Sequence, residues 1–159
     1  MEQKKLAIIA TKGSLDWAYP PFILGSTAAA LGYEVQIFFT FYGLQLLRKN
    51  LALEVTPLGN PGMPMPMAMD KWFPVLLTAL PGMQAMMTMM MKKKMASKGV
   101  ASIEDLRTLC QEAEVKFIAC QMTVDLFDLD TADFIDGVEY GGAATFFEFA
   151  GETDICLYI

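Results

Sequence analysis

Four short apolar runs recur along the chain: "KLAIIAT" at 5–11, "EVQIFFTF" at 34–41, "VKFIAC" at 115–120 and "TDICLYI" at 153–159. The first is continuous, and with Ile8 and Ile9 side by side it lacks the polar–apolar alternation of a strand with one wet face. A strand that is apolar throughout needs cover on both sides, which is the condition of a parallel sheet between two helical layers. The stretches between the runs supply those helices. Asp16 stands where it can cap a helix through "WAYPPFILGSTAAALG" (17–32), with Pro20 and Pro21 expected in or near its first turn and Gly32 as the C-cap. "YGLQLLRKN" (42–50) reads as a short helix ending in basic residues. Ser102 and Asp105 form a capping box for a helix over 103–114, with Ile103, Leu106, Cys110 and Ala113 on one face. Further on, "QMTVDLFDL" (121–129) is a short helix, 131–137 a helical turn or loop, and "VEYGG" a short strand or turn before a helix from about Gly142. The expected fold is α/β: a three-layer α/β/α sandwich on a mostly parallel sheet of about five strands.

Residues 51–98 interrupt this alternation. Ten of the 13 methionines lie between 63 and 91, among prolines and glycines at turn spacing. The reading is a single domain, 1–159, with a Met/Pro-rich helical insertion at 51–98. Residues 72–91 carry no charge and approach the length of a membrane span. Pro74, Pro81 and Gly82 break the tract, however, and a compact domain would need a second span to return. Methionine adapts to irregular surfaces, so the tract is read as subunit contact or a lid over the site. Lys92, Lys93, Lys94 and Lys98 at its end suit a peripheral contact with an anionic membrane surface as a further role.

Composition excludes several chemistries. There is no histidine, which removes Ser-His-Asp and Cys-His catalysis and imidazole metal sites. The net charge is −6 and no broad basic face is evident, so nucleic acid is not an expected partner. Asp125, Asp128, Asp130, Asp133 and Asp136 do not match a calcium loop and are read as solvated or capping residues; no metal is expected. No glycine segment matches a nucleotide-binding fingerprint. Three cysteines without CxxC spacing, and no evident leader, suggest a reducing cytoplasm.

Cys120 stands out among those three. It ends an apolar strand and opens a helix, in the N-cap region. The N–H groups of Gln121, Met122 and Thr123 can point at its sulfur there and favour the reactive thiolate. The competing reading is packing, since free cysteine is commonly buried. Cys110, on an inner helix face, and Cys156, inside the last strand, are read as packing residues. Lys12 and Gly13 after the first strand, and Gly141 and Gly142 before the last helix, lie on loops expected at the same sheet edge. They are candidates for binding a persulfide or small anion, against ordinary turn chemistry.

The segments "ATKGSLDWAYPPFILGSTAAALGYEVQIFFTFYGLQLL", "IACQMTVDLF" and "DGVEYGGAATFFEFA", with the Met-rich insertion, resemble the DsrE/DsrF-like family. Within it they are similar to the long, Met-rich branch often labelled DsrE-like sulfurtransferase or peroxiredoxin-family. The resemblance implies a flavodoxin-like fold and a homo-oligomer. It also implies a cysteine, matched by Cys120, that carries sulfur as a persulfide between rhodanese-like and TusA-like partners. Such chemistry requires no cofactor, only a low-pKa thiol and an approach path. The peroxiredoxin label fits less well: the residues ending at Cys120 are Phe-Ile-Ala-Cys rather than a T-x-x-C element, and Arg48 and Arg107 are distant in sequence. Two other classes stay open. One is a non-catalytic scaffold or docking protein using the Met-rich segment; the other is a small-anion or flavin-binding α/β module.

Overall fold

The computed structural model describes residues 3–56 and 80–159. Five strands, β1 (Lys5–Ala10), β2 (Glu34–Phe39), β3 (Lys116–Cys120), β4 (Val138–Gly141) and β5 (Ile155–Tyr158), form one sheet in the order β4-β3-β2-β1-β5. Every pairing in it is parallel. The five α-helices of the described residues are α1 (Leu15–Ala30), α2 (Met83–Ser97), α3 (Ile103–Glu112), α4 (Gln121–Leu126) and α5 (Ala143–Ala150). The chain divides into two compact units: Leu53–Ala101 with Ser14–Asp16, and the remainder, which holds the sheet.

The adjacent Phe38 and Phe39 explain why β2 is apolar throughout, since consecutive strand residues face opposite sides. On one side Phe39 meets Phe117 of β3 at 5.4 Å and Phe22 of α1 at 6.0 Å between ring centroids. The Cys110 thiol of α3 donates to the Phe22 carbonyl on the same side. On the other side Phe38 packs against Phe146 of α5 at 5.3 Å, in a cluster with Ala7, Ile118 and Cys120. The central strands β1, β2 and β3 are thus covered on both faces, as their apolar runs require, whereas β5 at the sheet edge leaves Ile155, Cys156 and Tyr158 exposed. Each such ring pair adds about 0.5–1.5 kcal/mol beyond area burial.

The start of α3 and the end of α1 follow the local chemistry expected of them, with one exception at the start of α1. Ser102 accepts from the Asp105 N–H at 3.0 Å and caps α3. Gly32, at φ +86°, closes α1: its N–H reaches Ala29 and that of Tyr33 reaches Ala28. That pair of bonds is a Schellman motif, which needs a left-handed residue at this point. The exception is Asp16. The helix starts at Leu15, so Asp16 lies inside the first turn and Pro20 and Pro21 lie beyond it. The Asp16 carboxylate does not serve as the cap; it accepts from the Thr56 N–H at 2.8 Å and from the Thr56 hydroxyl at 2.7 Å. That long-range pairing outcompetes capping because it satisfies a backbone donor 40 residues away.

The stretch expected as a helix over 42–50 is a 3-10 helix, Phe41–Leu47. In the insertion, α2 begins directly after Gly82, where the sequence predicted an interruption. Its Thr88 hydroxyl accepts from the Val55 N–H at 3.0 Å. The expectations for 57–79, including most of the Pro/Met repeat, lie outside the described residues. Among the described residues no helix is long and apolar enough to cross a membrane.

Candidate functional site

Parallel pairing aligns the carboxyl ends of the strands. Ala10 is opposite Phe39, Phe39 opposite Ala119, and Cys120 opposite Gly141. The residues that follow β1 and β2 therefore reach the same edge as Cys120. Cys120 is the N-cap of α4, with extended backbone at φ −66°, ψ 109°. It is 5% exposed, with Phe38 and Phe146 in the cluster that contains it.

Burial opposes ionisation of this thiol. Four hydrogen-bonding groups oppose burial: the Thr123 hydroxyl and N–H, the Thr40 hydroxyl and the Met122 N–H. Together they outweigh it and hold the Cys120 thiol below the usual cysteine range. The Thr123 hydroxyl is itself fully buried. It lies 3.3 Å from the Thr40 hydroxyl and accepts from the Phe41 N–H at 3.3 Å. With an acceptor role already filled by Phe41, its proton is free to face the sulfur.

Phe41 has φ +50°, uncommon for a side chain with a Cβ, and it begins the turn that leaves β2. The buried Arg107 of α3 ties down the far end of that turn, donating to the carbonyls of Leu46 at 2.8 Å and Arg48 at 2.7 Å. Gly43 and Gly13 hold its near side. A Cβ on Gly43 would stand 2.1 Å from the Ala10 carbonyl oxygen, and one on Gly13 would stand 2.3 Å from that of Tyr42. The loops after β1 and β2 thus touch backbone to backbone.

The other expected site residues are distributed around this centre. Gln121 is exposed and its side-chain amide donates to Asp125 at 2.7 Å. The Lys12 ammonium lies 3.1 Å from the centroid of the Trp17 ring, a cation–π contact. Gly141 is the register partner of Cys120, and a Cβ there would press on Thr145 at 2.7–2.9 Å. Gly142 caps α5 with open space around its Cα. At the β1–β5 edge the Thr11 N–H and hydroxyl both donate to the Ile159 carbonyl, at 2.9 and 3.0 Å. Thr40, Gly43 and Arg107 were not singled out by sequence reasoning. Thr40 carried no signal of its own, since it lies inside the run 34–41 that reads as strand to its end.

The three cysteines differ in reactivity for physical reasons. Cys110 is fully buried and desolvation pushes its thiol up to about 11. Cys156 is exposed on β5. We expect brief alkylation of the native protein near neutral pH to label Cys120 and Cys156 and spare Cys110, read by peptide mass mapping. Modification of Cys110 at the rate of Cys156 would contradict the placement of α3.

The family model described as DsrE/DsrF/DrsH-like matches residues 2–158. This chain belongs to that family. The match runs through both compact units. A relative from Allochromatium vinosum called sulfur carrier protein DsrE2 is 86% identical over 159 residues, covering 100% of both chains. The uncharacterized protein YrkE of Bacillus subtilis is 31% identical over 164 residues, covering 99% of this chain and 98% of its own. Among solved structures, the ychN protein of E. coli superposes with a TM-score of 0.56 at 13% identity, over 99% of this chain and 100% of that one. That likeness concerns the fold, and it agrees with the α/β architecture expected of a DsrE-like chain.

Proposed function

We propose that the chain is a sulfur carrier that takes sulfane sulfur onto Cys120 as a persulfide and passes it to an acceptor thiol. The observation that carries this reading is the setting of Cys120. A thiol at a strand end faces four groups that favour its thiolate, and only the thiolate attacks a sulfur donor. The relative named sulfur carrier protein DsrE2, matched over its whole length, supports the same reading. Rhodanese-like donors and TusA-like acceptors are the partners this implies, with a homo-oligomer acting in the cytoplasm. Lys12, Gly13, Gln121, Gly141 and Gly142 are read as shaping the edge around the sulfur, and Met122 and Thr123 as stabilising its charge.

Thr123→Val tests the charge stabilisation. Loss of the hydroxyl removes a hydrogen bond to the sulfur and leaves the Phe41 N–H without its acceptor, so about 1–3 kcal/mol of stability is lost. The sign for reactivity follows from the depressed thiol: below the ordinary cysteine range the native chain already holds thiolate, and removing the donor moves that rise to higher pH. Persulfidation and alkylation rates of Cys120 therefore fall several-fold near neutral pH and recover in alkali. Thr123→Ser keeps the hydroxyl and retains the native profile. Superimposable pH–rate curves for the native and Val proteins would dissociate Thr123 from the thiolate. A scaffold role would instead leave partner binding intact in a Cys120→Ser protein, with nothing lost in sulfur handling.

A further inference from the structure

Resting on the persulfide reading, we infer that the surface around Cys120 docks an acceptor protein through a cationic face with apolar anchors. The apolar part is Phe41, Tyr42, Met122, Leu126 and Phe127, each between 41% and 66% exposed. Phe127 stacks on Tyr42 at 6.1 Å and meets Phe41 edge-on at 6.3 Å, so the rings form one preordered group. Rigid, exposed aromatic groups are typical anchors of protein–protein contacts. They flank both elements that position the sulfur: Phe41 and Tyr42 open the turn after β2, and the other three lie on or just after α4.

The segment that carries Met122, Leu126 and Phe127 bears charge of one sign. Residues 117–159 contain nine acidic residues and no lysine or arginine. Two cations reach this segment from the end of the turn after β2: Arg48 stands 3.9 Å from Asp133, and the Lys49 ammonium donates to the Ala132 carbonyl at 2.8 Å. Asp125, Asp128 and Asp130 have no ion pair among the described residues. A second copy meeting this face across a two-fold axis would set these carboxylates against their own equivalents, which is destabilising. A cationic partner gains from the same field, both in encounter rate and in selectivity.

The transfer served by this docking is balanced and redox-neutral. The partner thiolate attacks the outer sulfur of the Cys120 persulfide, Cys120–S–SH. A new S–S bond forms on the partner as the S–S bond to Cys120 breaks. The electron pair stays on Cys120 as the thiolate that Thr123 and Met122 stabilise, and the proton stays on the transferred sulfur.

The test titrates the isotopically labelled full chain with the peptide KKFSFKK and with EEFSFEE, followed by amide chemical shifts. Neither peptide carries a thiol, so binding is read apart from sulfur chemistry. At low ionic strength the cationic peptide shifts the amides of Phe41, Tyr42, Met122 and Phe127, the anionic one does not, and the effect disappears by about 0.5 M salt. A triple variant, Asp125→Asn, Asp128→Asn and Asp130→Asn, binds KKFSFKK about tenfold more weakly. Asparagine keeps the acceptor for Gln121, tolerates the φ of +48° at position 128, and still caps the Ala132 N–H. Equal binding of the two peptides, shifts confined elsewhere, or an unaffected triple variant would overturn the docking assignment. Polysulfide loading of Cys120, measured separately, persists in the triple variant and is no slower than in the native chain, because losing the carboxylates relieves repulsion of the anionic donor. Failure of the native chain to load would remove the persulfide reading, while the titration still decides the docking face.

Discussion

Incubated with polysulfide near neutral pH, the reduced native chain gains about 32 Da, the mass of one sulfur, and a Cys120→Ser protein gains none on the same timescale. Serine keeps the size of the side chain and its capping position, so fold and partner binding survive while loading is abolished. The argument rests on competition among three thiols. Cys110 is shielded and its thiol raised to about 11, so it holds almost no thiolate. Cys156 is exposed and lies within β5 rather than at the start of a helix. Cys120 alone combines a strand-end position with donors that outweigh its burial. A Cys156→Ser protein should accordingly load like the native chain. Loading that survives in Cys120→Ser and disappears in Cys156→Ser would move the carrier to β5 and leave the "IACQMT" junction as packing.

The second large effect is structural. Gly43→Ala places a methyl 2.1 Å from the Ala10 oxygen and 2.8 Å from its carbonyl carbon. Both atoms belong to the end of β1, which is paired on both sides and cannot withdraw. Overpacking a core with a flexible neighbour costs about 1–3 kcal/mol; here the neighbour is backbone, so about 3 kcal/mol or more is expected. The same clash displaces the turn that carries Thr40 and Phe41, so Cys120 should also lose reactivity in whatever fraction folds. Gly142→Ala is the contrast, since its Cβ meets nothing within 4 Å. The cost there is the lost N-cap preference, about 1 kcal/mol or less. Urea unfolding of the two proteins reads the difference directly; similar midpoints would mean that the loops after β1 and β2 are not in contact.

Much of the candidate site could be read from residue order. Cys120 was visible because an apolar run stops and a helical pattern starts there, and Thr123 because it follows three residues later on the first turn. Thr40 was hidden inside "EVQIFFTF", which looks like strand to its end. Its role depends on Thr123, which is 83 residues away in sequence. Gly43 looked like an ordinary member of a short helix, and only the approach of Ala10 gives its missing side chain a purpose. Asp16 went the other way. Its local signal was a helix cap, and a distant Thr56 claimed the carboxylate instead.

By itself, then, the sequence determined the kind of fold and the place of the thiol: the apolar runs of β1, β2 and β3 demand a sheet covered on both faces there, and glycine or serine marks where α1 stops and where α2, α3 and α5 start. Those are local properties, set by side-chain period and backbone preference within a few residues. Only the tertiary structure decided the strand order β4-β3-β2-β1-β5, and with it which loops meet Cys120. The reason is that strand neighbours are chosen by long-range packing, here Phe22, Phe39 and Phe117 on one face and Phe38 and Phe146 on the other. The thiolate's hydrogen bonds exist only once those faces have closed.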